Sequence, residues 1–357
     1  MNSNTRMALI VAGGTGGHII PGLSVALELK ARGWQVQWVG NPQAMEGRLV
    51  PAQGIELNTL VFSGFRGKGL LQQVLMPLKL LRAFVTSIQI LRRTKPSVVL
   101  GMGGYVAFPL GMMASLMNIP LVVHEQNSIA GLTNKVLAKL ADSNLVAFPQ
   151  ALPSATWVGN PVRETMYSQL SPVERFKSRQ GNLKLLVLGG SLGAQALNDV
   201  VPKALAKLDP SLRPEVVHQA GEKNLPALRN NYEQAGVQAQ ALPFIDDVAQ
   251  AMAQADLIIC RAGAMTVAEV AAVGAAALFV PFPHAVDDHQ THNAQFLVQS
   301  QAAWLMQQKE LNAEILAQWL KQIDRDTCLQ CASKARALGK PQATQDVVHH
   351  IEQVCRS

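Results

Sequence analysis

Short apolar runs that end in glycine-rich or polar turns recur along the chain. Residues 7–12 are all apolar, residues 13–18 read Gly-Gly-Thr-Gly-Gly-His, and apolar periodicity resumes over 23–29. This order predicts a strand, a glycine-rich turn and a helix. Further strands of the first half are predicted at 36–40, 55–62, 98–100 and 121–123. Because short β-branched runs alternate with helices, the pattern predicts a parallel sheet covered on both faces.

A second series of strands and turns follows a break at 159–163, which reads Gly-Asn-Pro-Val-Arg and is typical of a linker. A strand is predicted at 183–188, and the glycine turn after it opens a helix. Later strands are predicted at 215–218, 237–242, 257–260 and 277–280. The predicted fold class is therefore α/β, with two Rossmann-like domains whose parallel sheets face a central cleft. We expect an N-terminal domain over 1–162 and a C-terminal domain over 163–341, with a helix at about 342–357 that packs back on the first.

Apolar residues recur at helical spacing over 70–91, where Pro77 predicts a kink. Between Glu56 and Glu125 the chain has no acidic residue, so this stretch carries a charge equal to the net +7 of the chain. Its basic residues are Arg66, Lys68, Lys79, Arg82, Arg92, Arg93 and Lys95. A helix packed on the core would account for most of its leucines. The alternative, which the lack of acidic residues supports, is a contact of the 66–95 region with an anionic membrane surface.

Three features bear on the compartment. Residues 96–123 carry no charge, but glycines and prolines interrupt them. They predict strand, loop, buried helix and strand rather than a membrane-spanning helix. The apolar run before Gly13 is too short for a signal peptide. The four cysteines are expected to be reduced thiols of a cytoplasmic protein, with zinc or redox chemistry at Cys328-x-x-Cys331 as the alternative.

The first glycine turn is a candidate site for chemistry, because ligands of parallel sheets bind at the carboxyl ends of the strands. Glycines let a ligand approach the backbone, and the N–H groups of the turn and the following helix suit a phosphate or a developing oxyanion. His18 is the residue there that can move a proton near neutral pH. A tight turn without a ligand would need the same glycines.

Two segments of the second half carry further candidate chemistry. Residues 261–269 predict a strand end, a turn at Gly263 and a helix whose first N–H groups can bind phosphate. Glu269 lies about one turn further on and could accept both hydroxyls of a ribose, or it could simply stabilise the helix start. The polar run 287–290 could hold sugar hydroxyls, or it could be a solvated loop.

Six motifs in order resemble those of the MurG family, which transfers N-acetylglucosamine. They lie at 13–18, 101–105, 124–127, 159–163, 189–191 and 261–269. The resemblance covers nearly the whole chain and implies a two-domain GT-B fold and an inverting hexosyltransferase of peptidoglycan synthesis. The donor would be UDP-N-acetylglucosamine. The acceptor would be the muramoyl 4-hydroxyl of undecaprenyl-pyrophosphoryl-N-acetylmuramoyl-pentapeptide, which converts lipid I to lipid II in cell wall biogenesis.

The resemblance also implies roles for individual residues. Glu269 would bind the ribose, the backbone of Ile245 the uracil, and Gln290 the sugar hydroxyls. The remaining donor-binding residues would be Thr15, Gly16, Gly17, Asn127, Arg163, Ser191, Ala264, Met265, Thr266, Val267 and Ala268. Leu192 departs from the family pattern, where many members have glutamine. His18 is the preferred catalytic base, and His124 and Glu125 are rival bases.

The implied setting is the cytoplasmic face of the bacterial inner membrane, as a peripheral protein that supports cell shape and division. No metal or other cofactor is required by this interpretation, and the role of a divalent ion stays open. Cell-wall synthesis proteins are possible partners, and nucleic acid is not, since basic and aromatic residues do not interleave. Alternatives are another GT-B transferase, a UDP-N-acetylglucosamine epimerase, and a membrane-associated binding or scaffold protein. A dinucleotide-dependent oxidoreductase lacks support because the third glycine of its fingerprint is missing.

Overall fold

The computed structural model describes residues 6–62, 75–190 and 193–356, except for the Val286 side chain. The chain divides into two compact units. The first unit comprises Met1–Val162 and Gln342–Ser357, and the second comprises Arg163–Pro341. Each unit has its own sheet and its own core, so each is built as a domain.

The first unit contains a parallel sheet of seven strands in the order β3-β2-β1-β4-β5-β6-β7. Its strands are β1 Met7–Ala12, β2 Gln35–Gly40, β3 Glu56–Thr59, β4 Val98–Gly103, β5 Leu121–Glu125, β6 Ser143–Val146 and β7 Thr156–Trp157. Its described helices are α1 Gly16–Ala31, α2 Met45–Leu49, α3 Met76–Thr94, α4 Ala107–Leu116, α5 Leu132–Leu137 and, at the chain end, α15 Ala343–Val354. Short 3-10 turns connect some of these elements.

Alternate residues of β1 enter two cores, one on each face of the sheet. Ala8 and Ile10 pack with α1 and with Val347 of α15. Leu9 and Val11 pack on the opposite face with α3 and α4. The strand is therefore buried on both sides, which explains its unbroken apolar sequence.

The second unit contains a parallel sheet of six strands in the order β10-β9-β8-β11-β12-β13. Its strands are β8 Lys184–Leu188, β9 Glu215–Gln219, β10 Gln240–Leu242, β11 Leu257–Cys260, β12 Ala277–Phe279 and β13 Trp304–Leu305. Its described helices are α6 Glu164–Tyr167, α7 Pro172–Phe176, α8 Gln195–Ala206, α9 Leu225–Ala235, α10 Val248–Gln254, α11 Ala264–Val273, α12 His289–Val298, α13 Ala313–Leu320 and α14 Arg325–Ala337.

Helix α3 corrects two expectations for the apolar segment 70–91, of which 70–74 lies outside the described residues. Pro77 stands in the first turn of α3, where a helix tolerates proline, so the predicted kink there is wrong. The buried side of the helix is formed by Ala83, Ser87, Ile90 and Leu91. Leu75, Leu78, Leu81 and Val85 are instead exposed, so the core-facing interpretation is wrong for these residues.

The uncharged stretch 96–123 forms β4, α4 and β5, as predicted. Among the described residues, none of the helices combines the length and the apolar character that a membrane crossing requires. The four cysteines are free thiols, and burial raises the pKa of Cys331 to about 12. Within the described ranges, the side chains of His, Cys, Asp and Glu form no group of three or more suited to a metal ion.

Candidate functional site

Two glycine turns pack against each other at the carboxyl edge of the first sheet. Gly104, after β4, has φ +81°, and a Cβ atom there would lie 2.3 Å from the carbonyl oxygen of Gly13, after β1. Real Cβ atoms do not approach so closely, so a side chain at 104 would force the turns apart. The two turns therefore form one rigid backbone surface.

A buried carboxylate lies beneath the first turn. Glu46 is 1% exposed, and its Oε2 accepts a hydrogen bond from the Gly14 N–H at 3.4 Å, while Oε1 accepts from the Asn41 N–H at 3.1 Å. The Gly14 N–H therefore points into the protein rather than toward a ligand, and the expectation of a phosphate cradle is wrong for this group. A negative charge beneath the turn also disfavours an anion there.

His18 lies in the first turn of α1 and is half-buried. Its Nδ1 is 2.6 Å from Oε1 of Gln126, which follows β5. The imidazole ring lies against Gly103, where a Cβ atom would be 3.1 Å from both Nδ1 and Cε1. The ring position thus depends on a glycine beneath it and on an amide beside it.

His124 and Glu125 lie within β5 and are 0% and 1% exposed. Burial lowers the pKa of His124 to about 4, and its Nε2 and Nδ1 contact the Gly159 carbonyl oxygen at 3.0 Å and Gln126 Nε2 at 2.9 Å. The Glu125 carboxylate accepts hydrogen bonds from four groups: the backbone N–H groups of Asn127 and Gly131, and the side-chain amides of Asn127 and Asn134. Both rival bases are therefore enclosed and engaged, whereas His18 is partly open to solvent.

The second unit places Glu269 in α11, which begins directly after Gly263. The Glu269 carboxylate is 3.9 Å from the Arg163 guanidinium, which is half-exposed. Burial raises the pKa of Glu269 to about 7, against the opposing effect of Arg163. The first-turn N–H groups and the positive dipole end of α11 suit a phosphate, and Glu269 provides a hydrogen-bond acceptor one turn away.

Gln290, in the first turn of α12, connects two strand ends. Its Oε1 accepts hydrogen bonds from the Phe282 N–H at 2.9 Å and from the Ala262 N–H at 3.2 Å. Arg261 supports the same region by donating to the Val280 carbonyl at 3.0 Å. The solvated-loop interpretation is therefore wrong for Gln290, and its amide nitrogen is the group left for a ligand.

The other predicted residues differ in how they can reach a ligand. Val267 is fully buried and its N–H donates to the Gly263 carbonyl, so it serves the core rather than a ligand. Ile245 is 8% exposed in the loop after β10. Thr15 is exposed, while Gly16, Gly17, Asn127, Thr266 and Ala268 are partly exposed and Ala264 and Met265 are buried. Ser191 and Leu192 lie outside the described residues.

Sequence reasoning missed the roles of Glu46 and Gln126. Both act through contacts distant in sequence: Gln126 and His18 are 108 positions apart, and Glu46 and Gly14 are 32 apart. Gln126 does belong to a polar run at a predicted strand end, which was the available signal. No periodicity distinguishes Glu46 from a surface residue.

Two family models match the chain, one in each half. The glycosyltransferase family 28 N-terminal domain matches residues 8–146, and the C-terminal domain of the same family matches 184–351. With one parallel sheet in each matched region, the chain is a two-domain glycosyltransferase of GT-B type, and the predicted α/β class is confirmed.

Relatives of similar length show to which family of glycosyltransferases the chain belongs. A UDP-N-acetylglucosamine--N-acetylmuramyl-(pentapeptide) pyrophosphoryl-undecaprenol N-acetylglucosamine transferase of Burkholderia thailandensis is 58% identical, over 97% of this chain and 96% of the relative. The crystal structure of Acinetobacter baumannii MurG is 40% identical, with a TM-score of 0.86 over 98% of this chain and 99% of that chain. The chain belongs to the MurG family of glycosyltransferases.

A more distant structure shares only the fold. The crystal structure of a UDP-GlcNAc 2-epimerase from Neisseria meningitidis, bound to UDP-GlcNAc, is 13% identical. Its TM-score is 0.68, over 97% of this chain and 100% of that chain.

Proposed function

We propose that the chain transfers N-acetylglucosamine from UDP-N-acetylglucosamine to the muramoyl 4-hydroxyl of undecaprenyl-pyrophosphoryl-N-acetylmuramoyl-pentapeptide. The observation that carries the donor assignment is Glu269, a largely buried carboxylate one turn into α11 and 3.9 Å from Arg163. The carboxylate can accept hydrogen bonds from ribose hydroxyls, while the N-terminal end of α11 and the Arg163 cation can bind the pyrophosphate that follows the ribose.

The nucleotide is held by the second unit. Glu269 accepts the ribose hydroxyls, the backbone of Ile245 pairs with uracil, and Arg163 and the start of α11 stabilise the pyrophosphate. Ser191 contributes to the phosphate contacts. The amide nitrogen of Gln290 donates to a sugar hydroxyl, since its oxygen is already bonded to two backbone N–H groups. These positive groups stabilise departing UDP, and the proposal requires no metal ion.

His18 is the general base of this proposal. It takes the proton of the 4-hydroxyl as that oxygen forms a bond to the anomeric carbon, and the bond from this carbon to the pyrophosphate oxygen breaks to release UDP. A single displacement inverts the anomeric centre. The support is geometric, because His124 and Glu125 are buried and fully hydrogen-bonded while His18 is partly exposed. Thr15, Gly16, Gly17 and Asn127 would approach the donor sugar from the first unit.

Helix α3 is the proposed contact with the membrane that holds the acceptor. Its exposed residues include the apolar Leu78, Leu81 and Val85 and the cations Lys79 and Arg82. Such a combination binds anionic lipid by apolar burial and by charge attraction. The protein would lie at the cytoplasmic face of the inner membrane as a peripheral protein, where cell-wall synthesis proteins could bind it.

The test is UDP release from UDP-N-acetylglucosamine with and without a lipid-linked muramoyl-pentapeptide analogue. We expect release that depends on the acceptor, together with a disaccharide product. Donor binding without such release would overturn the acceptor assignment, and formation of an epimerised sugar without acceptor would instead indicate an epimerase. Absence of donor binding would contradict the proposal as a whole.

A further inference from the structure

A chain of hydrogen bonds connects the exposed end of the candidate site to the interior of the first unit. It runs from His18 Nδ1 to Gln126 Oε1 at 2.6 Å, and from Gln126 Nε2 to His124 Nδ1 at 2.9 Å. It ends where His124 Nε2 meets the Gly159 carbonyl oxygen at 3.0 Å. We call these three side chains the His18–Gln126–His124 chain. Gln126 and His124 are both 0% exposed, so water does not compete for the bond between them.

Two backbone carbonyls fix the direction of every hydrogen bond in this chain. Gln126 Nε2 lies 2.8 Å from the His124 carbonyl oxygen, which only accepts, so this atom is the amide nitrogen and Oε1 faces His18. The Gly159 carbonyl likewise requires that His124 carry its proton on Nε2. Because burial holds the pKa of His124 near 4, His124 is neutral and its Nδ1 accepts the second amide proton of Gln126.

The consequence falls on His18. An amide oxygen cannot donate, so Nδ1 of His18 must carry a proton, and the lone pair of the neutral ring is then on Nε2. We propose that Gln126, oriented by His124, is a positioning residue that holds His18 in the tautomer whose Nε2 accepts the acceptor-hydroxyl proton. This inference rests on the proposed function. It assigns to an uncharged amide the task that a buried carboxylate performs in other histidine-based sites.

Gly103 also restricts the position of the His18 ring, because the ring packs directly against its backbone. A Cβ atom at 103 would lie 3.1 Å from His18 Nδ1, close to the hydrogen bond itself. The ring is therefore confined by contact on one side and by the amide on another, which fixes both its plane and its protonated nitrogen.

The first experiment measures the tautomer directly, without activity. Histidine-selective ¹⁵N labelling distinguishes protonated from unprotonated ring nitrogens, and His18→Gln identifies the His18 signals among the eight histidines. At a pH where the ring is neutral, we expect His18 protonated on Nδ1 in the wild type and a mixture of tautomers in Gln126→Met. His18 protonated on Nε2 in the wild type would overturn the proposal. This measurement stands even if the proposed reaction fails.

The second experiment compares pH profiles of kcat/KM for two variants. Gln126→Met removes the acceptor from Nδ1, so the imidazolium is less stable and the acid limb moves to lower pH, with kcat/KM lower by about 10- to 100-fold. Gln126→Glu places a carboxylate there and moves the acid limb to higher pH. KM for UDP-N-acetylglucosamine should stay within about 2-fold in both variants.

Asn58→Leu is the matched control, since Asn58 is also a buried amide of the first unit that donates to a backbone carbonyl, that of Trp38. It lies on β3, separated from β1 by β2. We expect its acid limb to coincide with that of the wild type. Loss of activity in Gln126→Met and Gln126→Glu without movement of the limb would show a purely structural role and refute the proposal. A wild type without acceptor-dependent UDP release would refute the proposed function instead.

Discussion

In the second unit, the position of Glu269 suits the proposed binding of a ribose but lowers the stability of the fold. Glu269 is 14% exposed at its side chain and has Arg163 at 3.9 Å as its cation. Burial favours the neutral acid and raises its pKa to about 7, from 4.5 for an unperturbed glutamate. A ribose, however, is bound best by the ionised form. The folded protein therefore holds this carboxylate at a cost in stability, which the proposed binding of a nucleotide would offset.

We expect Glu269→Gln to raise the stability of the protein at pH 8 and to weaken its binding of the donor. Since the folded pKa is raised, the wild type loses stability as pH rises from about 4.5 to about 7, and the cost at pH 8 is about 3 kcal/mol. The amide that replaces the carboxyl in the variant has no proton to lose. We expect thermal unfolding at pH 8 to occur at a higher temperature in the variant and at a similar temperature at pH 4. Equal Tm values at pH 8 would contradict the raised pKa.

Donor affinity should depend on pH through the same group. The pyrophosphate charge of UDP-N-acetylglucosamine does not change across neutral pH. A change of its affinity with pH therefore arises from a titrating group of the protein. We expect calorimetric affinity to weaken as pH falls below about 7, because protonation removes an acceptor from Glu269. Glu269→Gln serves as the control, with weaker and nearly constant affinity over that range. A pH dependence that persists in the variant would assign the effect to another group.

Helices and strands whose signals are contiguous in the sequence could be predicted, whereas features that depend on distant contacts could not. The strand, glycine turn and helix at 7–31 could be predicted because the signals are contiguous. The role of Pro77 could not, because a proline suits both a kink and a first turn, and only the true start of α3 at Met76 decides. Periodicity likewise identified an apolar side of α3 but not whether the side meets core or solvent, since lipid contact and core packing need the same residues. Gln126 and Glu46 depend on partners that only the folded chain brings close.

The paired glycine turns predict unequal effects of two alanine substitutions. Gly104→Ala combines φ +81° with a contact of 2.3 Å to the Gly13 carbonyl, and should destabilise the protein by more than about 2 kcal/mol. Gly14→Ala is the control, because its φ is +92° but, apart from its chain neighbours, no described residue has an atom within 4 Å of the added Cβ. It should cost only about 1–2 kcal/mol. Chemical denaturation would measure both, and equal costs would show that the close approach is relieved easily.

The exposed side of α3 predicts a charge-dependent membrane contact. Changing Lys79 and Arg82 to glutamate should weaken binding to anionic vesicles by about 10-fold or more, since each cation near such a surface contributes about 1 kcal/mol. Activity on a detergent-solubilised acceptor should remain largely unchanged. Charge reversal at the exposed Lys223 and Arg229 of the second unit is the matched control. Unchanged vesicle sedimentation of the α3 variant would exclude this surface.

The first unit is discontinuous in sequence, because residues 342–357 belong to it although the second unit separates them from residues 1–162. Its C-terminal helix α15 contributes Val347, Val348 and Ile351, all 0% exposed, to the core that also contains Ile19 and Val25 of α1. Each such side chain stabilises by about 1.5–3 kcal/mol when buried. The helix is therefore a structural part of the first unit rather than an appendage of the second.

Ending the chain after Pro341 should destabilise the first unit selectively. We expect hydrogen exchange to accelerate at α1 and β1, while α8 and α11 of the second unit keep their protection. Ending the chain after Val354 retains α15 and should leave both regions protected. Equal protection of α1 with and without residues 342–357 would show that α15 adds nothing to this core.

The position of α15 also sets the order in which the protein can be completed during synthesis. The first unit begins to leave the ribosome before the second unit does, but its core lacks a helix until residues 343–354 have been made. The second unit has all its segments between Arg163 and Pro341 and can finish folding before that moment. Of the two units, the one that carries His18 is thus translated first and completes its core last. The apolar side chains of α1 that pack against α15 remain uncovered while the other unit is translated.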